Sequence, residues 1–192
     1  MKVLVVKKIY YDKKLAEKDK IIDMYKSELE LLKKELDYYK KISCTDSLTK
    51  LNNRRAIKNV DEYDSIVLGD IDYFKKINDK YGHDLGDKVL IEISDILKKY
   101  TRNTDLVCRW GGEEFVIFLK NCDDEMAYDK ALTLKNAVSK LSDKFGFTIT
   151  MSFGVSNLLG KTMQNALKEA DEAMYKSKEN GRNRVTVYSL NL

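Results

Sequence analysis

Arg109-Trp110-Gly111-Gly112-Glu113-Glu114-Phe115-Val116-Ile117-Phe118-Leu119 sets two glycines and two acids directly ahead of an apolar run. The pattern predicts a tight β-turn feeding a buried strand, with Leu106 to Trp110 and Phe115 to Leu119 as the arms of a hairpin. Glycine lets the backbone turn sharply and lets a bulky ligand lie against it. Carboxylates at such a turn can hold a hard divalent cation, which takes oxygen ligands. Taken alone, Gly111 to Phe115 fits an ordinary acidic hairpin turn equally well.

A second acidic stretch decides between those readings. Ser65-Ile66-Val67-Leu68-Gly69-Asp70-Ile71-Asp72 reads as a short apolar strand ending in acids. Strand side chains alternate faces, so Asp70 and Asp72 are expected to point the same way. One carboxylate at a strand end and one from a neighbouring turn could share a cation. Mg²⁺ suits such a pair, since one or two carboxylates usually hold it and substrate phosphates complete its shell.

The chain continues Phe74-Lys75-Lys76-Ile77-Asn78-Asp79-Lys80-Tyr81-Gly82-His83-Asp84-Leu85-Gly86-Asp87. Asp70 to Asp87 resembles the nucleotide-binding segment of the GGDEF-domain diguanylate cyclases, and Gly111 to Phe115 resembles the motif that names them. Asp46-Ser47-Leu48-Thr49-Lys50-Leu51-Asn52-Asn53-Arg54-Arg55 is similar to the family's opening motif, and Ala170 to Asn183 to its closing helix. The resemblance runs from Ser43 to Tyr188, about three quarters of the chain. Four motifs in the right order are far more specific than any one of them.

The resemblance implies an α+β fold: a central, mostly antiparallel five-stranded sheet flanked by helices, like a polymerase palm or nucleotidyl cyclase. It implies a reaction that joins two GTP molecules into cyclic di-GMP and releases two pyrophosphates, with Mg²⁺ or Mn²⁺. Asp70, Glu113 and the backbone carbonyl of Ile71 match the family's metal ligands, with Glu114 in support of metal or nucleotide. Glu113 is also the family's candidate proton acceptor, and Lys75 its catalytic partner. Asn78 and Asp87 match the guanine readers; a carboxylate accepts from N1–H and N2–H₂, a pattern adenine lacks. Phe74, Gly111 and Gly112 are expected to border the substrate, and Lys75, Lys178 and Arg182 to neutralise phosphates. Arg102-Asn103-Thr104-Asp105 matches the family's product-inhibition site, although the following helix offers Lys130 and Lys135 where that site draws an arginine. His83, the only histidine, is expected to be structural. Lys50 and Asn52 stand where the family's opening motif has Gly and Pro, so a locally different loop is expected there. The alternative is a catalytically silent GGDEF module that binds GTP or cyclic di-GMP and signals by contact; the intact Asp70, Asp87 and Glu113 count against it.

Composition excludes little but agrees. Hydrophobic content of 43% suffices for a core, and three cysteines without metal spacing suit a reducing, cytoplasmic setting. No apolar run approaches a membrane span. Residues 1–44 carry 12 Lys against 8 acids, while the remainder balances 23 against 23, so nucleic-acid binding is not expected. Leu15, Ile22, Leu29 and Leu36 recur every seven residues, with Tyr25, Leu32 and Tyr39 three residues after the last three. This predicts a short parallel coiled coil joining a homodimer, with Glu28 facing Lys33 of a second copy and Glu35 facing Lys40. Tyr at d and Lys18 at another d position predict a weak one.

The expected division is a coiled-coil helix over 1–44 and a catalytic-type domain over 45–192. Within the latter, a helix is expected after Asp46, a strand over Ile66 to Ile71 and a helix over Asp84 to Lys99. After the hairpin come a helix over Asp124 to Leu141, a strand over Thr148 to Ser156, a helix over Met163 to Glu179 and a strand over Arg184 to Tyr188.

Overall fold

The structure, a computed structural model, describes residues 2–57 and 60–188, and only the backbone of 2–6, 8, 9 and 41. The chain divides into two compact units, Met1–Ser43 and Cys44–Leu192. The first is one 42-residue helix, α1 (Lys2–Ser43). Its heptad residues Leu15, Ile22, Tyr25, Leu29, Leu32, Leu36 and Tyr39 are all exposed, so the apolar seam is uncovered within one chain.

The second unit runs β1 (Asn52–Asn53), β2 (Ser65–Ile71), α2 (Phe74–Tyr81), α3 (His83–Tyr100), β3 (Leu106–Gly111), β4 (Glu114–Leu119), α4 (Asp124–Ser139), α5 (Leu141–Phe145), β5 (Met151–Asn157), α6 (Met163–Glu179) and β6 (Val185–Val187). The strands form a single sheet in the order β1-β3-β4-β2-β5-β6. The three central pairings are antiparallel, and the outer pairings β1–β3 and β5–β6 are parallel. The α+β, mostly antiparallel expectation therefore holds, with six strands rather than five. The extra strand is two asparagines long, with no apolar alternation to announce it.

Period-two alternation on β2 sorts the core into two layers. Val67 and Ile71 pack with Phe115, Ile117 and Leu119 of β4 and with Val89, Ile93 and Leu97 of α3. Ile66 and Leu68 pack on the other face with Val116 and Phe118 and with Ala166, Ala170 and Met174 of α6. Asp70 is in phase with Ile66 and Leu68 and so faces α6. That helix lies very close: a Cβ on Gly154 of β5 would overlap the Ala170 carbonyl oxygen and the Met174 amide nitrogen. The close approach brings the last turn of α6 within reach of the end of β2.

Local differences have local causes. The helix expected after Asp46 is one turn only. Asp46 Oδ1 does cap it, accepting from the Thr49 amide (2.8 Å) and hydroxyl (2.7 Å). Lys50 then turns left-handed (φ 59°), and the chain enters β1 and a 3-10 turn at Arg54–Ala56. Lys50 thus adopts the conformation a glycine takes without cost, at about 1–2 kcal/mol for a side-chain-bearing residue. The helix after Asp124 breaks between Ser139 and Leu141, giving α4 and α5. β5 begins at Met151 rather than Thr148, because the Ile149 amide and carbonyl are both engaged by the Ser142 hydroxyl. Burial lifts the Cys108 thiol to about 12, which leaves it inert, as a structural cysteine should be. Among the described residues, no helix is long and apolar enough to cross a membrane.

Candidate functional site

The site is built at the end of β2. Asp70 is 9% exposed, and one of its oxygens lies 2.9 Å from the Lys178 ammonium on α6. Burial raises the Asp70 carboxyl to about 6; Lys178 pulls it down, while Glu113 and Glu114 push it up. Glu114 is the cross-strand partner of Asp70, and burial raises its carboxyl too, with Asp171 and Glu113 adding to the rise against Lys178. The turn carrying Glu113 is tied to the strand end: the Ile71 amide donates to the Glu113 carbonyl at 3.3 Å.

A clamp shapes that turn. Gly112 is left-handed (φ 41°), and the β3–β4 register shifts between Arg109 and Gly111. Arg109 Nε and Nη2 donate to the Gly112 carbonyl at 3.0 and 2.8 Å, and Nη1 pairs with Asp46 Oδ1 at 3.1 Å. Burial would raise the Asp46 carboxyl, but Thr49 and Arg109 outweigh it and hold it below its usual value. The opening motif and the two-glycine turn are thus one structure.

Asp70, Ile71, Phe74, Lys75, Glu113, Lys178 and Arg182 line a common cleft of about 230 Å³. Gly111 and Gly112 do not line it; they border a separate cleft of about 390 Å³ together with Arg54, Arg55 and Arg109. Nothing stands within 4 Å of a Cβ placed on either glycine, so the turn presents open backbone. Glu114 does not line the acidic cleft either, and its contribution there is electrostatic.

Asn78 and Asp87 flank the junction of α2 and α3. Asn78 is half-buried against Gly86, the neighbour of Asp87, and Asp87 itself is exposed. Asn78 Oδ1 is buried without a hydrogen-bond partner, an acceptor waiting for a donor. His83 is exposed on the first turn of α3, outside the cleft.

Two further contributors were given no role from the sequence. Asp72 shares the cleft with Asp70, but its oxygens are taken by Thr150 Oγ1 (2.7 Å), Ser152 Oγ (2.7 Å) and the Asn183 amide (3.0 Å). It anchors the loop that presents Arg182. Tyr73, at the left-handed junction of β2 and α2 (φ 57°), also lines the cleft. A buried acid flanked downstream by Thr150, Ser152 and Asn183 has no local sequence signature, since its donors lie 78 to 111 residues away.

Arg102 and Asp105 form one turn, outside the cleft. The Arg102 amide donates to Asp105 Oδ2 (2.9 Å), the Asp105 amide to the Arg102 carbonyl (3.0 Å), and the Lys120 amide to Asp105 Oδ1 (3.3 Å). The Arg102 side chain is exposed. Lys130 Nζ reaches the Tyr100 carbonyl at 2.9 Å, two residues before Arg102.

Among the described residues, no three acids, histidines or cysteines converge as a metal cage. The donor set that does converge is two carboxylates, Asp70 and Glu113, with the Ile71 backbone. Asp70, Glu113 and Glu114 repel one another enough to help raise Asp70, so a cation of higher charge than Lys178 would be welcome there. Hard oxygen donors of this number fit Mg²⁺ or Mn²⁺.

Residues 43–184 match the family model described as "Diguanylate cyclase, GGDEF domain". Diguanylate cyclase A of Treponema denticola is 44% identical over 133 residues, covering 67% of this chain and 36% of that protein. The response regulator PleD of Caulobacter vibrioides is 37% identical over 174 residues, covering 80% of this chain and 38% of that protein. The chain thus spans little more than a third of these curated relatives. The coiled coil and GGDEF domain of DgcB from Caulobacter crescentus, solved in complex with c-di-GMP, superposes with a TM-score of 0.74 at 26% identity, covering 88% of this chain and 98% of that one. With residues 43–184, most of its length, matched by the family model, the chain belongs to the GGDEF diguanylate cyclase family.

Proposed function

We propose that the chain is a diguanylate cyclase that condenses two GTP molecules into cyclic di-GMP and two pyrophosphates. The observation that carries this reading is the cleft at the end of β2, where Asp70 and Glu113 meet Lys75, Lys178 and Arg182. Acids and cations on one wall suit a triphosphate that arrives with Mg²⁺ or Mn²⁺. Asp70, Glu113 and the Ile71 carbonyl would hold the metal ions, which lower the charge on the α-phosphate and on the departing pyrophosphate. Lys75, Lys178 and Arg182 bind the phosphate oxygens. Asn78 Oδ1, unpartnered in the structure, accepts from the guanine edge, and Asp87 accepts beside it.

In each of two steps a ribose 3'-oxygen forms a bond to an α-phosphorus and the bond from that phosphorus to the β-phosphate bridge breaks. Glu113 takes the 3'-hydroxyl proton, and pyrophosphate leaves with the electron pair. Each domain carries one set of guanine readers, so two domains must meet with their Glu113 turns opposed. The exposed heptad seam of α1 provides the means in a parallel homodimer. Product binding at Arg102 and Asp105 supplies feedback.

The test is purified chain with GTP and Mg²⁺, followed by chromatography of the products. Wild type should form cyclic di-GMP, and Glu113→Gln should keep its fold by circular dichroism and lose turnover by at least about a hundredfold. A Glu113→Gln protein as active as wild type removes this site. A wild-type protein that binds GTP without turning it over favours the signalling module instead.

A further inference from the structure

Two of the five non-glycine residues with positive φ among the described residues line this one cleft, Tyr73 (57°) and Arg182 (62°), and a third, Asn183 (48°), follows Arg182 directly. Asparagine tolerates the left-handed region; an aromatic does so at a cost. Tyr73 is not repaid by full burial, since the residue is 52% exposed. What its ring does touch is charge. The Arg182 guanidinium carbon lies 4.3 Å from the ring centroid and the Lys76 ammonium 4.4 Å.

We propose that Tyr73 is a positioning residue for Arg182, its ring face holding the guanidinium at the mouth of the acidic cleft, where a nucleoside triphosphate is gripped. The inference rests on the proposed function and assigns this side chain a part in it. The two cations on the C-terminal side of the site are held by different devices. Lys178 is held by a carboxylate, Asp70, at 2.9 Å. Arg182 makes no ion pair among the described residues. Its backbone is fixed: its amide donates to the Ser177 carbonyl at 3.0 Å, and the next amide donates to Asp72. A fixed backbone still leaves a long side chain with many rotamers, and the ring selects among them. A carboxylate in that role would occupy N–H donors and cancel the charge. A ring face attracts the cation and consumes no donor, so the fork stays free for phosphate oxygens. The left-handed turn at Tyr73 is what carries the ring from the end of β2 to this place; Lys76, one turn along α2, shares the ring at a similar distance.

The variants are Tyr73→Phe, which keeps the ring, and Tyr73→Asn, which removes it and eases the backbone. Each is made in the full chain alone and with Arg182→Ala. The probe is α,β-methylene-GTP with Mg²⁺, by calorimetry, beside thermal melting and steady-state kinetics. Tyr73→Phe should bind within about twofold of wild type. Tyr73→Asn should melt no lower than wild type yet bind about threefold to tenfold more weakly, with KM rising more than kcat falls. In the Arg182→Ala background the same change should have no further effect on binding. Equal binding by Tyr73→Asn and wild type overturns the inference. So does an undiminished effect without Arg182, or a Tyr73→Phe protein as weak as Tyr73→Asn. If wild type binds the analogue but makes no cyclic di-GMP, the cyclase reading fails while the binding comparison still decides the role of Tyr73. If it does not bind the analogue, both fail.

Discussion

Gly86 of α3 leaves no room for a side chain beside Asn78: a Cβ there would overlap Asn78 Oδ1 and stand 3.3 Å from Phe74 Cζ. The helix position alone would favour alanine over glycine by up to about 1 kcal/mol. The glycine therefore leaves space for the Asn78 amide, the proposed reader of guanine. Gly86→Ala should change the melting temperature little, the helix gain offsetting the displaced Asn78. It should weaken GTP-analogue binding at least about tenfold, because the buried acceptor is turned away from its ligand. Calorimetry and melting on the same sample check this; unchanged affinity would separate Asn78 from substrate.

The raised Asp70 carboxyl sets a pH dependence with a definite sign. Its folded value of about 6 lies above the ordinary 3.8. Between those values the folded chain keeps a proton that the unfolded chain has lost, so this group's contribution to stability falls as pH rises from about 4 to about 6. Metal-free wild type should therefore lose melting temperature across that window relative to Asp70→Asn. Saturating Mg²⁺ should raise the wild-type melting temperature at pH 7.5 and leave that of Asp70→Asn unchanged. At limiting Mg²⁺ the rising limb of the pH–rate profile should lie near 6 and move lower as Mg²⁺ increases. Two proteins with parallel melting curves at every pH would remove Asp70 as the titrating group.

Asp105 spends both oxygens on backbone amides, which leaves the exposed Arg102 side chain as the main grip of the proposed product site. Arg102→Ala should keep initial rates within about twofold and shift the inhibition curve for added cyclic di-GMP to at least about tenfold higher concentration. Asp105→Ala should also lower the melting temperature, since it unties the turn. Superimposable inhibition curves for wild type and Arg102→Ala would exclude the turn as the feedback site.

The uncovered seam of α1 predicts activity that depends on concentration. A parallel pair of helices would hold a second domain at an effective concentration of about millimolar. Leu29→Glu with Leu36→Glu places like charges in the seam. Specific activity of this variant should fall steeply at low protein concentration and partly recover at high concentration. Sedimentation across the same dilution series reports the mass directly; turnover per subunit that stays flat in both proteins would show that the helix does not assemble the site.

Much of this was readable from short-range pattern. The two-glycine turn, the apolar strand ending at Asp70, and α6 from Met163 to Glu179 all carry signals within a few residues of themselves. β1 carried none, because two asparagines show neither alternation nor apolar character. The capping signal at Asp46 was real, but the left-handed turn at Lys50 ended the helix it began. Arg109 was seen only as a flank of the turn; its grip on Gly112 and Asp46 depends on bringing together residues 63 apart. Asp72 was placed beside Asp70 by strand alternation, but its anchoring role and the part of Tyr73 were not legible, because their partners come from Thr150, from β5 and from the loop after α6.

The three donors on Asp72 also impose an order of assembly. Its carboxylate joins the end of β2 to β5 and to a residue 111 positions further along the chain. Contacts of such long sequence separation form late, after the loop-closure cost has been met by other contacts. During synthesis, the loop proposed to grip phosphate cannot be anchored on Asp72 until the segment through Asn183 has emerged. On the proposed reading, a nascent chain that already displays the two-glycine turn still lacks Lys178 and Arg182, and its triphosphate grip is incomplete until they emerge.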